Sequence, residues 1–150
     1  MFKFRFFSLV VISMMLILGL SAGSVLAKTG GVKVDDDQNC NSPDKEDNTI
    51  TASPFYIWLN LSNKNASNPG TVCVEFDNHD TGQDLFVDVI FAVPAAPPCT
   101  KPYPIWFVAS VDAGGLGIDD GDITVTVYDA PCPPTAANNV ISGDTFELNI

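Results

Sequence analysis

The sequence predicts an all-β protein, an antiparallel β-sandwich of six to eight strands. Apolar and polar residues alternate in six separate runs, the period of a strand with one buried face. Short breaks rich in Gly, Pro, Asn and Asp separate those runs, as turns between strands do. Beyond the N-terminal segment no stretch holds a sustained helical apolar period. Sheets with one apolar face must cover it, and a second sheet does so.

Residues 1–27 read as a secretory signal. Lys3 and Arg5 form a basic start, Phe6 to Leu20 is almost wholly apolar, and Val25 and Ala27 occupy the −3 and −1 positions of a cleavage site. An apolar core of about 15 residues is short for a membrane span of about 20. Cleavage after Ala27 leaves 123 of the 150 residues, with no membrane span, and loss of two cations takes the net charge from −11 to −13. Such an acidic surface repels nucleic acid and anionic membranes. The expected location is outside the cell or on its surface, or the periplasm of a Gram-negative source.

Residues 28–48 form an acidic N-terminal arm in which Val32 and Val34 permit one short edge strand, and 49–150 form the sandwich domain. Phe55 to Leu61 is the first strong strand, with Phe55, Ile57, Leu59 and Leu61 on one face. Thr71 to Asp77 turns Val72, Val74 and Phe76 inward and Cys73 outward. Asp84 to Val93 has Leu85, Val87, Val89, Phe91 and Val93 on one face. Phe86 and Ile90 on its other face predict that this face is partly covered too, as in a central strand. Tyr103 to Val111, Ile123 to Asp129 and Val140 to Ile150 complete the set.

Four cysteines, Cys40, Cys73, Cys99 and Cys132, remain after cleavage, and export favours disulfides. Their spacing fits no CxxC redox or zinc pattern. Cys99 and Cys132 both lie in proline-rich loops and are expected to pair, which leaves Cys40 for Cys73.

The two halves resemble each other. PFYIW (Pro54 to Trp58) parallels PYPIW (Pro102 to Trp106). Val72, Val74 and Phe76 parallel Ile123, Val125 and Val127, and TGQDLFVDV (Thr81 to Val89) parallels SGDTFELNI (Ser142 to Ile150). The separation between counterparts widens along the chain because the second half carries longer loops. This predicts two three-strand units facing each other. On that scheme Asn78 to Gln83 is a crossover between sheets, not a tight hairpin turn.

Val72, Val74, Asn78, Gly82, Asp84, Leu85, Val87 and Val89 follow a V-x-V…N…G-x-D-L-x-V-x-V pattern. This run resembles bacterial and archaeal extracellular Ig-like modules of the cell-adhesion-related and DUF11-like kinds. The resemblance is confined to the run from Val72 to Val93. It implies an Ig-like fold and an extracellular interaction role, with no activity attached.

Candidate chemistry is sparse. His79, the one histidine, lies between Asp77 and Asp80 without an evident nucleophile, and no G-x-S-x-G or H-E-x-x-H motif occurs; the chain is not expected to be an enzyme. Asp35, Asp37, Asn39 and Glu46 have the spacing of a calcium-binding loop, but Cys40 stands where that loop needs glycine. Asp119, Asp120 and Asp122 form a second carboxylate cluster. No cofactor is expected: both clusters read as solvated acidic loops, with calcium as the alternative ligand. Tyr56, Trp58, Trp106 and Tyr128 lie opposite the main apolar stripes, either as rings that stack a sugar or as a second apolar layer. Asn60-Leu-Ser62 and Asn65-Ala-Ser67 are glycosylation sequons. The expected role is a secreted, disulfide-stapled structural or adhesive module for a protein or glycan partner. A carbohydrate-binding module and a fibre subunit self-assembling through the N-terminal arm are the alternatives.

Overall fold

The structure, a computed structural model, describes residues 30–38, 48–61, 67–94, 105–135 and 140–150. The signal segment, Asn39, Glu46, Asn65, Cys40 and Cys99 lie outside these residues. Eight strands among them form two sheets. One has the order β1-β3-β6, with β1 (Gly30–Asp35), β3 (Phe55–Leu61) and β6 (Ile105–Val111). The other has the order β2-β8-β7-β4-β5, with β2 (Thr49–Ile50), β4 (Thr71–Asn78), β5 (Gln83–Ile90), β7 (Gly121–Tyr128) and β8 (Val140–Leu148). Only the short β2–β8 pair among these is parallel.

The alternation sets the core. Phe55, Ile57, Leu59 and Leu61 on β3 face Val72, Val74 and Phe76 on β4 and Ile123, Val125 and Val127 on β7, all at most 1% exposed. Each such side chain contributes about 1.5–3 kcal/mol when fully buried. The Phe55 ring bridges the layers. It meets Phe76 of β4 edge-on at 6.3 Å and Phe146 of β8 at 5.5 Å. The acidic lead-in is drawn into this core through β1. Val32 and Val34 are buried, and the Val34 amide donates to Asp144 Oδ2 on β8 at 2.9 Å.

The two halves interleave instead of forming separate sheets, which corrects the expected pair of facing units. β3 pairs with β6, and β4 with β7. Leu59 and Phe107, which follow the matched Trp58 and Trp106, are direct partners across β3 and β6. Glu75 and Thr126, which follow the matched Val74 and Val125, are direct partners across β4 and β7. An antiparallel pair of equivalent residues has a local two-fold axis between them, so each sheet carries one. The flanking strands follow, with β5 beside β4 and β8 beside β7. Their equivalence departs from the expected phase, however. The sequence parallel sets Val89 against Ile150. Val72 pairs with Val89, yet Ile123, the counterpart of Val72, pairs with Phe146, four positions before Ile150. An even shift keeps every side chain on its own face, so apolar alternation could not detect it.

Three further expectations fail. Asn78 to Gln83 is a hairpin loop, since Asn78 pairs with Gln83 and the ladder runs unbroken to Thr71–Ile90. Among the described residues β5 is an edge strand, not a central one, and Phe86 and Ile90 are exposed (37% and 71%). The chain leaves β5 at Phe91 and crosses to the other sheet, where Ala92 bridges Val108.

The third concerns the cysteines. Cys73 bonds Cys132, with Cα atoms 4.9 Å apart, so neither Cys40–Cys73 nor Cys99–Cys132 forms. Cys73 does face away from the core, as expected. Its partner comes from the chain that turns back after β7, where the Cys73 amide donates to Ala130 O at 2.8 Å. This is the one disulfide among the described residues.

Candidate interaction site

The hairpin β4–β5 is locked to the loop before β7 by two side chains. Asn78 is 1% exposed and fully hydrogen-bonded. Its Nδ2 donates to the carbonyls of Asp119 and Asp120 at 2.9 and 3.2 Å, and its Oδ1 accepts from the amides of Asp80 and Thr81 at 3.0 Å. Gln83 grips the same loop, donating to Gly117 O and accepting from the Asp119 amide. Gly121 has φ +141°, and a Cβ there would lie 2.8 Å from Asn78 Oδ1, so only glycine lets the loop close on the hairpin. A short helix, α1 (Ala113–Leu116), precedes this loop. Asp112 caps it by accepting from the Gly115 amide at 3.1 Å, and left-handed Gly117 ends it.

Within the second carboxylate cluster this latch engages the Asp120 side chain and the backbone of Asp119 and Asp122. Asp120 Oδ1 accepts from the Ile150 amide, and the Asp122 amide donates to Asp80 Oδ2. Among the described residues the carboxylates that converge as a trio are those of Asp35, Asp36 and Asp37, within 4.8 Å of one another. Asp35 is buried and its Oδ1 accepts from the Asp37 amide at 2.9 Å, a local turn at the end of β1.

The four rings do not share one surface. Trp58 is wholly buried on the outer side of the three-stranded sheet, packed with Val108, Tyr56 and Trp106. Tyr128 lies on the other sheet, where its hydroxyl donates to Glu75 Oε2 at 2.5 Å. That hydrogen bond, then burial, then the charges of Glu75 and Asp84 push the Tyr128 phenol up to about 12. Asn60, the first sequon asparagine, is half-buried within β3, not in a loop.

His79 gains a partner that the sequence did not reveal. Its Nε2 lies 2.7 Å from Thr124 Oγ1 and its Nδ1 lies 4.0 Å from Asp77 Oδ2. The order acid, imidazole, hydroxyl is that of an activated nucleophile. However, 4.0 Å is too long for the orienting hydrogen bond, and Thr124 Oγ1 also lies 3.3 Å from Thr145 Oγ1. The cluster sits on an open strand face, with His79 and Asp77 about half exposed.

The feature that stands open is β5. Phe91 N donates to Gly70 O at 2.9 Å, which sets the alternation of the ladder. Leu85, Val87 and Val89 therefore turn their backbone groups toward β4. Asp84, Phe86, Asp88 and Ile90 turn theirs to the side where no strand among the described residues pairs. Beside this edge runs an open groove of about 470 Å³ whose lining mixes apolar Val87, Val89, Ile90, Val111 and Leu116 with polar Asp88, Ser110 and Asp112. Leu85 and Val87, inner-face residues of β5, are only half-buried against the core.

The outer face here is acidic. The strands of the five-stranded sheet carry seven carboxylates, six of them outward and Asp144 turned inward to Val34, and neither Lys nor Arg. Asp77 and Asp84 stand directly opposite each other across β4 and β5, a like-charge pair that opposes pairing. Asp88 Oδ1 accepts from the Cys132 amide at 3.0 Å, tying the disulfide loop to the edge strand.

Comparison with family models, with curated proteins and with solved structures finds no match. The reading of the site therefore rests on the geometry of this chain. No helix among the described residues is long and apolar enough to cross a membrane.

Proposed function

We propose that this chain is a secreted, non-enzymatic interaction module with an Ig-like sandwich fold, acting in structure or adhesion. The observation that carries the reading is the edge of β5, unpaired among the described residues, where Phe86 and Ile90 are exposed and Ile90 lines an open groove of mixed polar and apolar character. Natural sheets commonly cover, shorten or twist such edges. An edge that no described strand covers along eight residues is suited to binding.

The strand order supports the Ig-like assignment. An Ig sandwich has sheets A-B-E-D and G-F-C, the second extended by C′ in variable types. β1, β3, β6 and the bridge at Ala92 take the first order, and β8, β7, β4 and β5 take the second. Secretion is supported by the N-terminal segment, and the Cys73–Cys132 bond is compatible with it.

The arrangement favours protein over glycan as the partner. The buried Trp58 presents no ring face for a sugar. Assembly through the N-terminal arm is disfavoured because Val32 and Val34 already fill the chain's own core.

Beads coated with the mature chain test this reading. They should retain cells or matrix of the producing organism more than beads coated with the reduced, unfolded chain. Equal retention would refute an adhesive role.

A further inference from the structure

The edge of β5, unpaired among the described residues, is specific about the segment that would complete it. An added strand would take its hydrogen bonds from the outward amides and carbonyls of Asp84, Phe86, Asp88 and Ile90. Its residues on the core side would meet the half-buried Leu85 and Val87, which ask for apolar side chains. Its residues on the outer side would stand beside Asp84 and Asp88, which share one face of the strand. Behind Asp84 lies Asp77, so a cation there would relieve a like-charge pair.

A second copy of this chain fits poorly. Joining β5 to β5 would set the acidic edge against itself, adding repulsion to the strain of Asp77 and Asp84. Net charge gives the same answer, since the mature chain carries thirteen more acidic than basic groups.

We propose that β5 is a strand-addition site for a basic, extended segment of another protein, with Lys or Arg alternating with apolar residues. The pairing of Asp77 with Asp84 at an open edge singles out a cationic partner, and the half-buried Leu85 and Val87 call for an apolar face on the same strand. The inference rests on the reading of this chain as an interaction module and names what that module takes.

The test uses a capped peptide of about ten residues alternating Lys and Val, long enough to span a typical strand. A peptide alternating Glu and Val serves as the control. Binding to the mature chain is followed by fluorescence anisotropy and by amide exchange. The Lys–Val peptide should bind, weaken with added salt, and slow exchange at Asp84, Phe86, Asp88 and Ile90. Asp84→Lys, on an exposed position, and Phe86→Pro, which removes an outward amide, should each weaken it about tenfold or more. Absence of binding, equal binding of the Glu–Val peptide, or unchanged affinity in Asp84→Lys would overturn the proposal. If the peptide fails while coated beads still retain cells, the edge inference falls and the adhesion reading stands. If both fail, both fall.

Discussion

Leu59 and Phe107 are partners across β3 and β6, and they are also counterparts in the two halves of the sequence. Glu75 and Thr126 repeat this relationship in the other sheet. The internal resemblance is thus built into the strand pairing itself, with each half supplying strands to both layers. The outer strand β8 has its free side partly taken by β2, and β5 has no such companion among the described residues.

The disulfide should be a large part of the fold's stability. Cys73 and Cys132 are 59 residues apart, and a loop of that size contributes about 4 kcal/mol in the chain-entropy account. Cys73→Ala with Cys132→Ala should lower urea-melting stability by about 2–5 kcal/mol. A non-reducing peptide map should recover Cys73 joined to Cys132, and Cys73 joined to Cys40 or Cys99 would contradict the fold.

Asn78→Ala should be costly for a surface hairpin. It would strip partners from the amides of Asp80 and Thr81 and the carbonyls of Asp119 and Asp120. A loss of about 2–3 kcal/mol is expected by denaturant melting. A change near zero would mean that the latch between hairpin and loop does not form.

Tyr128 gives a signature at alkaline pH. Its phenol is pushed up from 10.0 to about 12, chiefly by the hydrogen bond to Glu75. The folded state thus holds the proton more tightly than the unfolded one. This contribution is complete below pH 10, and it is lost as pH rises toward about 12. Ultraviolet titration should show one tyrosinate forming near that upper value, absent in Tyr128→Phe. The variant should also lose less stability across the same window.

Trp58→Ala separates core from platform. A wholly buried Trp should cost about 3–5 kcal/mol on truncation, whereas the half-buried Trp106 should cost less. Calorimetry of both variants checks the order. Trp106→Ala melting below Trp58→Ala would contradict the packing.

Much of this fold was legible because alternation writes the buried face directly into the sequence. Phe55 to Leu61 matches β3 residue for residue, and the inward sets of β4, β6 and β7 follow the same rule. Strand neighbours were not legible, because alternation carries no information about which strand lies alongside. The hydrophobicity of Phe86 and Ile90 suggests a covered strand, yet Asp84 and Asp88 on the same face mark an exposed edge. The two-residue β2 and four-residue α1 are too short to show any period. Cys132 reaches Cys73 through the pairing of β4 with β7, a tertiary fact that loop composition cannot supply.

The edge of β5, unpaired among the described residues, underlies the functional reading, and amide exchange of the chain alone tests it most directly. Leu85, Val87 and Val89 should be protected by their bonds to β4, while Asp84, Phe86, Asp88 and Ile90 exchange rapidly, an alternation residue by residue. Uniform protection from Asp84 to Ile90 would place β5 inside a sheet and contradict the account.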